Sequence, residues 1–285
     1  MYGPEILARS MSAVAIDDDF GNMWQYHSRS DRHSKIACWS ILFDLLQHSK
    51  LLAEHVRRGE VVFGINHEMR DFKHDRKKDL DLVVCTPGTA AETKKRKLYT
   101  LPELIDKYGV QLDKREAKLL AELPVLKEGP VGAVRIALEA KACMTAHVRA
   151  LSRMYDELNS SHATVHGATD IGIAVGFAIV NVSDEFISTD RNKHDLKLLP
   201  AQVSKHKQPA DTQRAIDKVL QIPRRTEMGT NGFDALGLLL LDFRNDGTPV
   251  RVVTKPPAPR PGDVLHYDQM IERTTQLYDF KFGRR

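Results

Sequence analysis

The stretch that decides the fold is VRIALEAK, residues 134–141. Its apolar and polar side chains alternate, as they do in a strand with one buried face. Ile136 and Leu138 therefore point to one side of the strand, and Glu139 and Lys141 point to the other. This pattern places a carboxylate and an ammonium group one pleat repeat apart at the edge of an apolar core.

The spacing of Glu139 and Lys141 has little weight without its context. The chain holds seven tripeptides in which an acidic residue precedes lysine by two positions; they begin at Asp71, Asp75, Glu92, Glu116, Glu139, Asp195 and Asp279. Six of them lie in charged, turn-rich or helical segments. Only the tripeptide at Glu139 ends an apolar, strand-like run, and we therefore select it as the candidate site.

A second carboxylate is predicted beside this pair. Asp79 and Asp81 occur in DLDLVVC (Asp79–Cys85), where Asp81 leads directly into an apolar run. A buried carboxylate is costly unless it is paired or bound to a metal. Carboxylate oxygens and waters are the ligands that Mg²⁺ and Mn²⁺ prefer. Asp81 and Glu139 are thus candidate metal ligands, and Lys141 is placed to orient an attacking water.

The segments around these strands predict an α/β protein. A helix is expected over 34–57, with Ser34 as a plausible N-cap. After it the pattern predicts strands Val61–Glu68, Asp79–Cys85 and Val131–Ala140, a helix from Met144 to Leu158, and a buried strand Ile171–Val182. Residues 86–128 interrupt the strands as an insertion. Further on we expect a helix Asp211–Gln221, a strand Leu236–Phe243 and a helix over 264–281, whereas residues 1–30 show little periodicity.

An acidic strand start, a Glu-x-Lys strand end, then a helix and a strand resemble the PD-(D/E)XK, or restriction-endonuclease-like, superfamily. Asp81 matches the motif aspartate, Glu139 the motif acid and Lys141 the motif lysine. The resemblance covers about residues 34–182, and the 58 positions between Asp81 and Glu139 require the 86–128 segment to be an insertion.

The resemblance implies an αβββαβ core with a central mixed sheet, within a single nuclease domain of residues 1–285. Residues 183–285 would be a C-terminal α/β extension. It also implies Mg²⁺-dependent hydrolysis of phosphodiesters, with Mn²⁺ as a substitute, and most often a DNA endonuclease of restriction or anti-phage defence. Because such single-site folds usually cut duplex DNA as pairs, a homodimer or larger homo-oligomer is expected.

Weaker candidates surround the core residues. Glu68 is a possible third metal ligand at the end of the first strand, and Glu54 is the alternative on the first helix. Thr145, Arg149 and Arg153 lie off the apolar stripe of the following helix and could contact phosphates. For each of these residues the alternative is an ordinary solvated side chain.

The composition permits a nucleic-acid partner. The net charge is +4, and basic residues cluster at Arg70–Lys78, Lys94–Lys97 and Arg224–Arg225. The chain has no apolar run long enough to span a membrane and no N-terminal pattern typical of a signal peptide. Its three widely spaced cysteines argue against a disulfide framework and fit a cytoplasmic protein.

Two other interpretations stay open. The first is a catalytically inactive module of the same fold that binds DNA, or RNA, without a metal. The second is an assembly protein of another α/β class, in which Asp81 and Glu139 would be far apart. The distance between these two residues separates the second interpretation from the others.

Overall fold

A computed structural model describes residues 1–89, 97–227 and 229–283 of the chain. These residues form helices α1 (Gly3–Met11), α2 (Arg32–His48), α3 (Lys50–Arg57), α4 (Glu103–Tyr108), α5 (Lys114–Glu122), α6 (His147–Ala168), α7 (Ala210–Leu220) and α8 (Tyr267–Phe282). They also form strands β1 (Ile16–Asp17), β2 (Met23–Trp24), β3 (Val62–Asp71), β4 (Arg76–Pro87), β5 (Val131–Cys143), β6 (Ile173–Asn181), β7 (Glu185–Ile187), β8 (Val203–Lys205), β9 (Ala235–Asp242) and β10 (Arg251–Val252).

Six of these strands form one mixed sheet, in the order β10-β9-β6-β5-β4-β3. β3, β4 and β5 are antiparallel neighbours, whereas β5, β6 and β9 run parallel. The expected α/β class with a central mixed sheet is therefore confirmed. The order of helix, three strands, helix and strand over 34–182 is also as predicted.

The sheet carries an apolar core on each face. On one face α2 and α8 pack against the strands, and the rings of Trp39 and Phe43 stack with centroids 5.5 Å apart. On the other face α6 and α7 bury Leu151, Met154 and Leu158. Because both faces are covered, the central strand β6 is buried along its whole length.

The first predicted helix is divided into α2 and α3. Ser49 lies between them in an extended conformation, and its hydroxyl accepts the N–H of Leu52. A serine that caps the next helix in this way ends the preceding one, although the apolar pattern continues through it. The 86–128 segment does lie between β4 and β5 and contributes α4 and α5. Trp39 Nε1 ties it to α2 by donating to Leu101 O at 2.8 Å.

The N-terminal segment is not the irregular lead-in that its sequence indicated. It contains α1 and the β1–β2 hairpin, and α1 packs on α2. The carboxylate of Asp44 on α2 accepts the N–H groups of Tyr2 and Gly3 at 3.0 and 2.8 Å. The helix has one apolar face, with Ile6, Leu7 and Met11 buried, but at nine residues its stability comes from such long-range contacts.

The C-terminal hundred residues are part of the same sheet through β9 and β10. They also hold the N-terminal segment, because Asn22 donates to His194 O at 2.9 Å and Gln25 donates to Thr248 O at 2.8 Å. Among the described helices, none is long and apolar enough to cross a membrane.

Candidate active site

The candidate site lies where β4 and β5 separate. Their pairing extends to Leu82–Leu138, although β4 begins six residues earlier and β5 continues for five more. Asp81 and Glu139 are the next residues on either side of this fork, and the N–H of Asp81 lies 3.4 Å from Glu139 Oε2. The structure therefore brings together two carboxylates that are 58 positions apart in the sequence.

The Asp81 carboxylate is held by three groups. Its Oδ2 accepts the N–H of Ala140 at 3.1 Å, and its Oδ1 accepts from the Ser34 hydroxyl at 3.0 Å and from Lys35 Nζ at 3.1 Å. Burial opposes ionisation, but Lys35, Lys141 and the Ala140 N–H outweigh it and hold the pKa of Asp81 below its usual value. Asp81 is therefore ionised at neutral pH.

Glu139 is the most buried of the catalytic candidates, with 2% of its side chain exposed. Its Oε1 lies 2.9 Å from Lys141 Nζ and 3.6 Å from Lys78 Nζ. Burial, together with the charge of Asp81, raises the pKa of Glu139 despite the two lysines. Oε1 is fully buried and, within the described chain, accepts no hydrogen bond of regular geometry. The ammonium group of Lys141 is therefore its nearest partner.

Lys141 lies between two carboxylates. Its Nζ is 2.9 Å from Glu139 Oε1 and 3.3 Å from Glu157 Oε2 on α6. Burial alone would lower the pKa of Lys141, but Glu139 and Asp81 raise it above its usual value. The side chain is therefore an ammonium at neutral pH, and it can donate hydrogen bonds to a ligand but cannot accept a proton.

A third lysine enters the site from β4. Lys78 Nζ donates to Glu157 O at 2.8 Å and to Ser160 Oγ at 3.0 Å, and thus ties β4 to α6 beside Glu139. Burial lowers the pKa of Lys78, and Glu139 opposes this shift. Lys35, Lys78 and Lys141 place three ammonium groups beside Asp81 and Glu139, and Asp31 and Glu157 lie against Lys35 and Lys141 from the outside.

A cleft of about 560 Å³ opens onto this fork. Asp81 and Lys141 line it, and so do the three predicted phosphate-contacting residues Thr145, Arg149 and Arg153. The opposite wall comes from residues 28–31 and 188–190. Five of the sequence-derived candidates thus share one cavity, and Glu139 lies buried directly behind Lys141.

The remaining acidic candidates lie elsewhere. Glu68 pairs across the sheet with Asp79, and its exposed carboxylate forms an ion pair with Lys77 at 2.9 Å. Glu54 on α3 is exposed and forms an ion pair with Arg58. The structure does not bring either carboxylate to Asp81 and Glu139, so neither geometry supports a role as a metal ligand.

The three basic clusters are not uniform surface patches. In the first, Arg70 forms an ion pair with Asp75 and Lys78 turns into the site. In the cluster at 224–225, Arg225 is buried and paired with Asp234. Of the cluster at 94–97, only Lys97 falls within the described residues. The clustering of basic residues in the sequence therefore overestimates the basic surface near the fork.

Three residues of the site were missed by sequence reasoning. Glu157 lies one helical turn beyond Arg153 and two turns beyond Arg149, so extending their face of α6 would have found it. Lys35 and Lys78 gave no such indication, because each reaches the site from a segment whose pattern is ordinary. Asp81 and Lys35 are 46 residues apart in the chain.

Carboxylate oxygens are the donors that a hard divalent ion prefers. Within the part of the chain that the structure describes, no group of three or more acidic, histidine or cysteine side chains could hold a metal. A metal at the fork would have Asp81 and Glu139 as its carboxylate ligands and waters as further ligands, as is common for Mg²⁺. Comparison of the chain with protein-family models, curated proteins and solved structures found no match in any of the three.

Proposed function

We propose that this chain is a divalent-metal-dependent nuclease of the restriction-endonuclease-like superfamily. The observation that carries the proposal is the fork, where Asp81, Glu139 and Lys141 converge beside a cleft with arginines on its wall. The order of helix, three strands, helix and strand with a mixed sheet supports the same assignment. DNA is the substrate that we favour, and RNA is an outcome of the test.

The roles follow from the charge and placement of each residue. Asp81 and Glu139 would hold Mg²⁺, or Mn²⁺ in its place, and the ion would supply a water of lowered pKa and charge neutralisation on the phosphodiester. Lys141 is an ammonium that donates hydrogen bonds toward the cleft, where it would orient the water and offset the negative charge that develops. Glu157 and Glu139 position Lys141 from opposite sides.

The cleft wall supplies phosphate contacts. Arg149 and Arg153 are exposed on α6, four residues apart, and therefore lie on one face of the helix. Arg153 Nε donates to Glu157 at 2.6 Å, which holds its guanidinium close to Lys141. Guanidinium groups bind phosphate oxygens in a fixed geometry. A homodimer cutting both strands of a duplex, in restriction or anti-phage defence, is the assembly and setting that we propose.

The test is cleavage of plasmid and linear duplex DNA, with single-stranded DNA and RNA in parallel, in Mg²⁺, Mn²⁺ or EDTA. We expect cutting that requires the metal and is lost in Glu139→Ala and Lys141→Ala, both of which should keep the circular dichroism spectrum of the folded protein. Cutting that survives in both variants would remove these residues from the site. Metal-independent binding that survives Glu139→Ala, without cutting of any substrate, would instead establish an inactive binding module.

A further inference from the structure

The ammonium group of Lys35 is enclosed by oxygen atoms. Only 4% of the side chain is exposed, and Nζ donates to Asp81 Oδ1 at 3.1 Å, to Asp81 O at 3.3 Å and to Asn66 Oδ1. Asp31 Oδ2 lies 3.9 Å away. We call these four atoms the oxygen cage. Three of them match the three N–H donors of an ammonium group.

Asn66 has an unusual backbone at this position. Its φ is +49°, in the left-handed region that residues other than glycine seldom adopt, although asparagine tolerates it better than most. It lies on β3 between the pairs Ile65–Leu82 and His67–Leu80. The strand therefore departs from regular geometry at the residue whose amide oxygen completes the cage, and such departures concentrate at functional sites.

The cage atoms are those of a hard-cation site. A carboxylate oxygen, an amide oxygen and a backbone carbonyl are typical ligands of Mg²⁺, Mn²⁺ and Ca²⁺. Phosphodiester-cleaving sites that use two ions place them about 3.5–4 Å apart and share a carboxylate between them. In this chain one side of the Asp81 carboxylate already contacts a positive charge that is part of the protein.

We propose that Lys35 is a tethered cation that replaces a second divalent ion beside Asp81. The site then takes one divalent ion per chain, and Lys35 keeps Asp81 oriented whether or not that ion is bound. The inference rests on the proposed function only for the first ion at Asp81 and Glu139. The cage itself stands on the contacts of Lys35.

The test is the number of Mn²⁺ ions bound per chain, measured by calorimetric titration of the metal alone, without nucleic acid. We expect one ion for the wild type and one more for Lys35→Ala, because alanine removes the ammonium and leaves the cage oxygens and the space between them. Lys78→Ala is the matched control. It removes the same charge from the same carboxylate pair, but its Nζ faces one carboxylate oxygen, at 3.6 Å, with the Glu157 carbonyl and the Ser160 hydroxyl as its other partners. Because this set has one carboxylate and the cage has two, the number of ions should not change.

An equal number of ions in the wild type and Lys35→Ala would overturn the inference, and so would two ions in the wild type or a gain of one ion in Lys78→Ala. A wild type that binds none and a Lys35→Ala variant that binds one would contradict the proposed metal site and leave the tethered cation standing. If Lys35→Ala does not fold in EDTA, circular dichroism replaces the titration. Refolding with Mn²⁺ would support the inference, and an unfolded chain at saturating Mn²⁺ would overturn it.

Discussion

Two aspartates in this molecule each accept a backbone N–H from a neighbouring strand of the sheet. Asp81 Oδ2 accepts the N–H of Ala140 on β5, and Asp234 Oδ2 accepts the N–H of Ala174 on β6. Each also pairs with a buried cation, Lys35 in the first case and Arg225 in the second. We call their surroundings the open cluster and the closed cluster. The open cluster is Lys35, Lys78, Asp81, Glu139 and Lys141; the closed cluster is His162, His166, Arg225 and Asp234.

The clusters differ in how far their charges reach solvent. Arg225 donates to both oxygens of Asp234, at 2.8 and 3.2 Å, and neither side chain is more than 6% exposed. In the open cluster Lys141 bridges Glu139 and Glu157, at 2.9 and 3.3 Å, is 27% exposed, and lines the cleft together with Asp81. Burial of a carboxylate therefore does not identify a functional site. Charge that reaches a cavity is the better indication.

The largest expected effect separates the clusters by activity. Glu139→Gln removes the charge of one of the two proposed metal ligands. If the transition state loses several kcal/mol of stabilisation by the metal, the cutting rate should fall about 10³-fold. Because burial already opposes ionisation of Glu139, the neutral amide should change the free energy of unfolding by less than about 1 kcal/mol. Cleavage kinetics in Mg²⁺ and urea unfolding measure the two quantities.

Glu68→Gln is the matched control for this variant, since it removes a carboxylate from an exposed ion pair on the neighbouring strand. It should leave the cutting rate unchanged and alter the stability by less than about 1 kcal/mol. A Glu139→Gln variant that cuts as fast as the Glu68→Gln variant would contradict the catalytic role of the open cluster.

The second effect is on stability and belongs to the closed cluster. Asp234→Ala leaves Arg225 buried without its carboxylate, and breaking a buried pair in this way costs about 3–5 kcal/mol. The cutting rate per folded molecule should be unchanged. Urea unfolding followed by circular dichroism measures the loss of stability. Cleavage without urea, normalised to the concentration of folded protein, measures the cutting rate.

A double variant, Asp234→Ala with Arg225→Met, controls for the lost charge pair. It removes the unpaired cation and should recover part of the stability that Asp234→Ala loses. If Asp234→Ala were as stable as the wild type but could not cut nucleic acid, the closed cluster would be functional and the comparison would fail.

The difference between the clusters was only partly visible in the sequence. The alternation around Glu139 and Lys141 and the apolar run after Asp81 are local patterns, so they predicted both strands and the common facing of Ile136 and Leu138. Asp234 also precedes an apolar strand, β9, and by the same local pattern it could have been chosen in place of Asp81. The choice of Asp81 depended on its position before the Glu-x-Lys strand end.

What the sequence could not supply is long-range. The fork depends on where the pairing of β4 with β5 ends, and Lys35 and Lys78 reach it from other elements. A period of two over β4 would place Leu80 on the same face as Leu82 and Val84, but Leu80 packs in the other core layer, with Met69 and Val83. At the fork, next to Asp81, the side chains of β4 switch from one face of the sheet to the other. A prediction that assumes strict alternation along the strand misses this switch.

The third expected effect is the loss of stability in acid, to which buried histidines near both clusters contribute. Burial, with the charges of His166 and Arg225, lowers the pKa of His162 to about 4. The unfolded chain binds this proton near pH 6.5, so the stability that neutral His162 contributes is complete above about pH 6.5 and is lost as the pH falls to about 4. Asp81, whose pKa is lowered from 3.8, loses its contribution only at lower pH.

We therefore expect His162→Gln to reduce the pH dependence of unfolding between pH 6.5 and 4 by up to one proton, or about 1.4 kcal/mol per pH unit. His33→Gln should give a similar reduction at the cleft, since burial lowers the pKa of His33 to about 4 as well. The reductions in the two variants should add, because the sites are separate. An unchanged slope in His162→Gln would show that His162 is protonated in the folded protein.

The smallest expected effect tests whether nucleic acid contacts α6 when it approaches the open cluster. Arg153→Ala removes one exposed guanidinium from the cleft wall. We expect the affinity for nucleic acid to fall, and the slope of log affinity against log salt concentration to decrease by about one phosphate contact. Arg58→Ala is the control, because Arg58 on α3 also forms an exposed ion pair with a glutamate four residues away. Fluorescence anisotropy over a range of salt concentrations, with Ca²⁺ to prevent cutting, should give a lower slope for Arg153→Ala alone. Equal slopes for both variants would mean that the arginines of the cleft wall do not contact phosphate, and that the ligand enters the fork along another side.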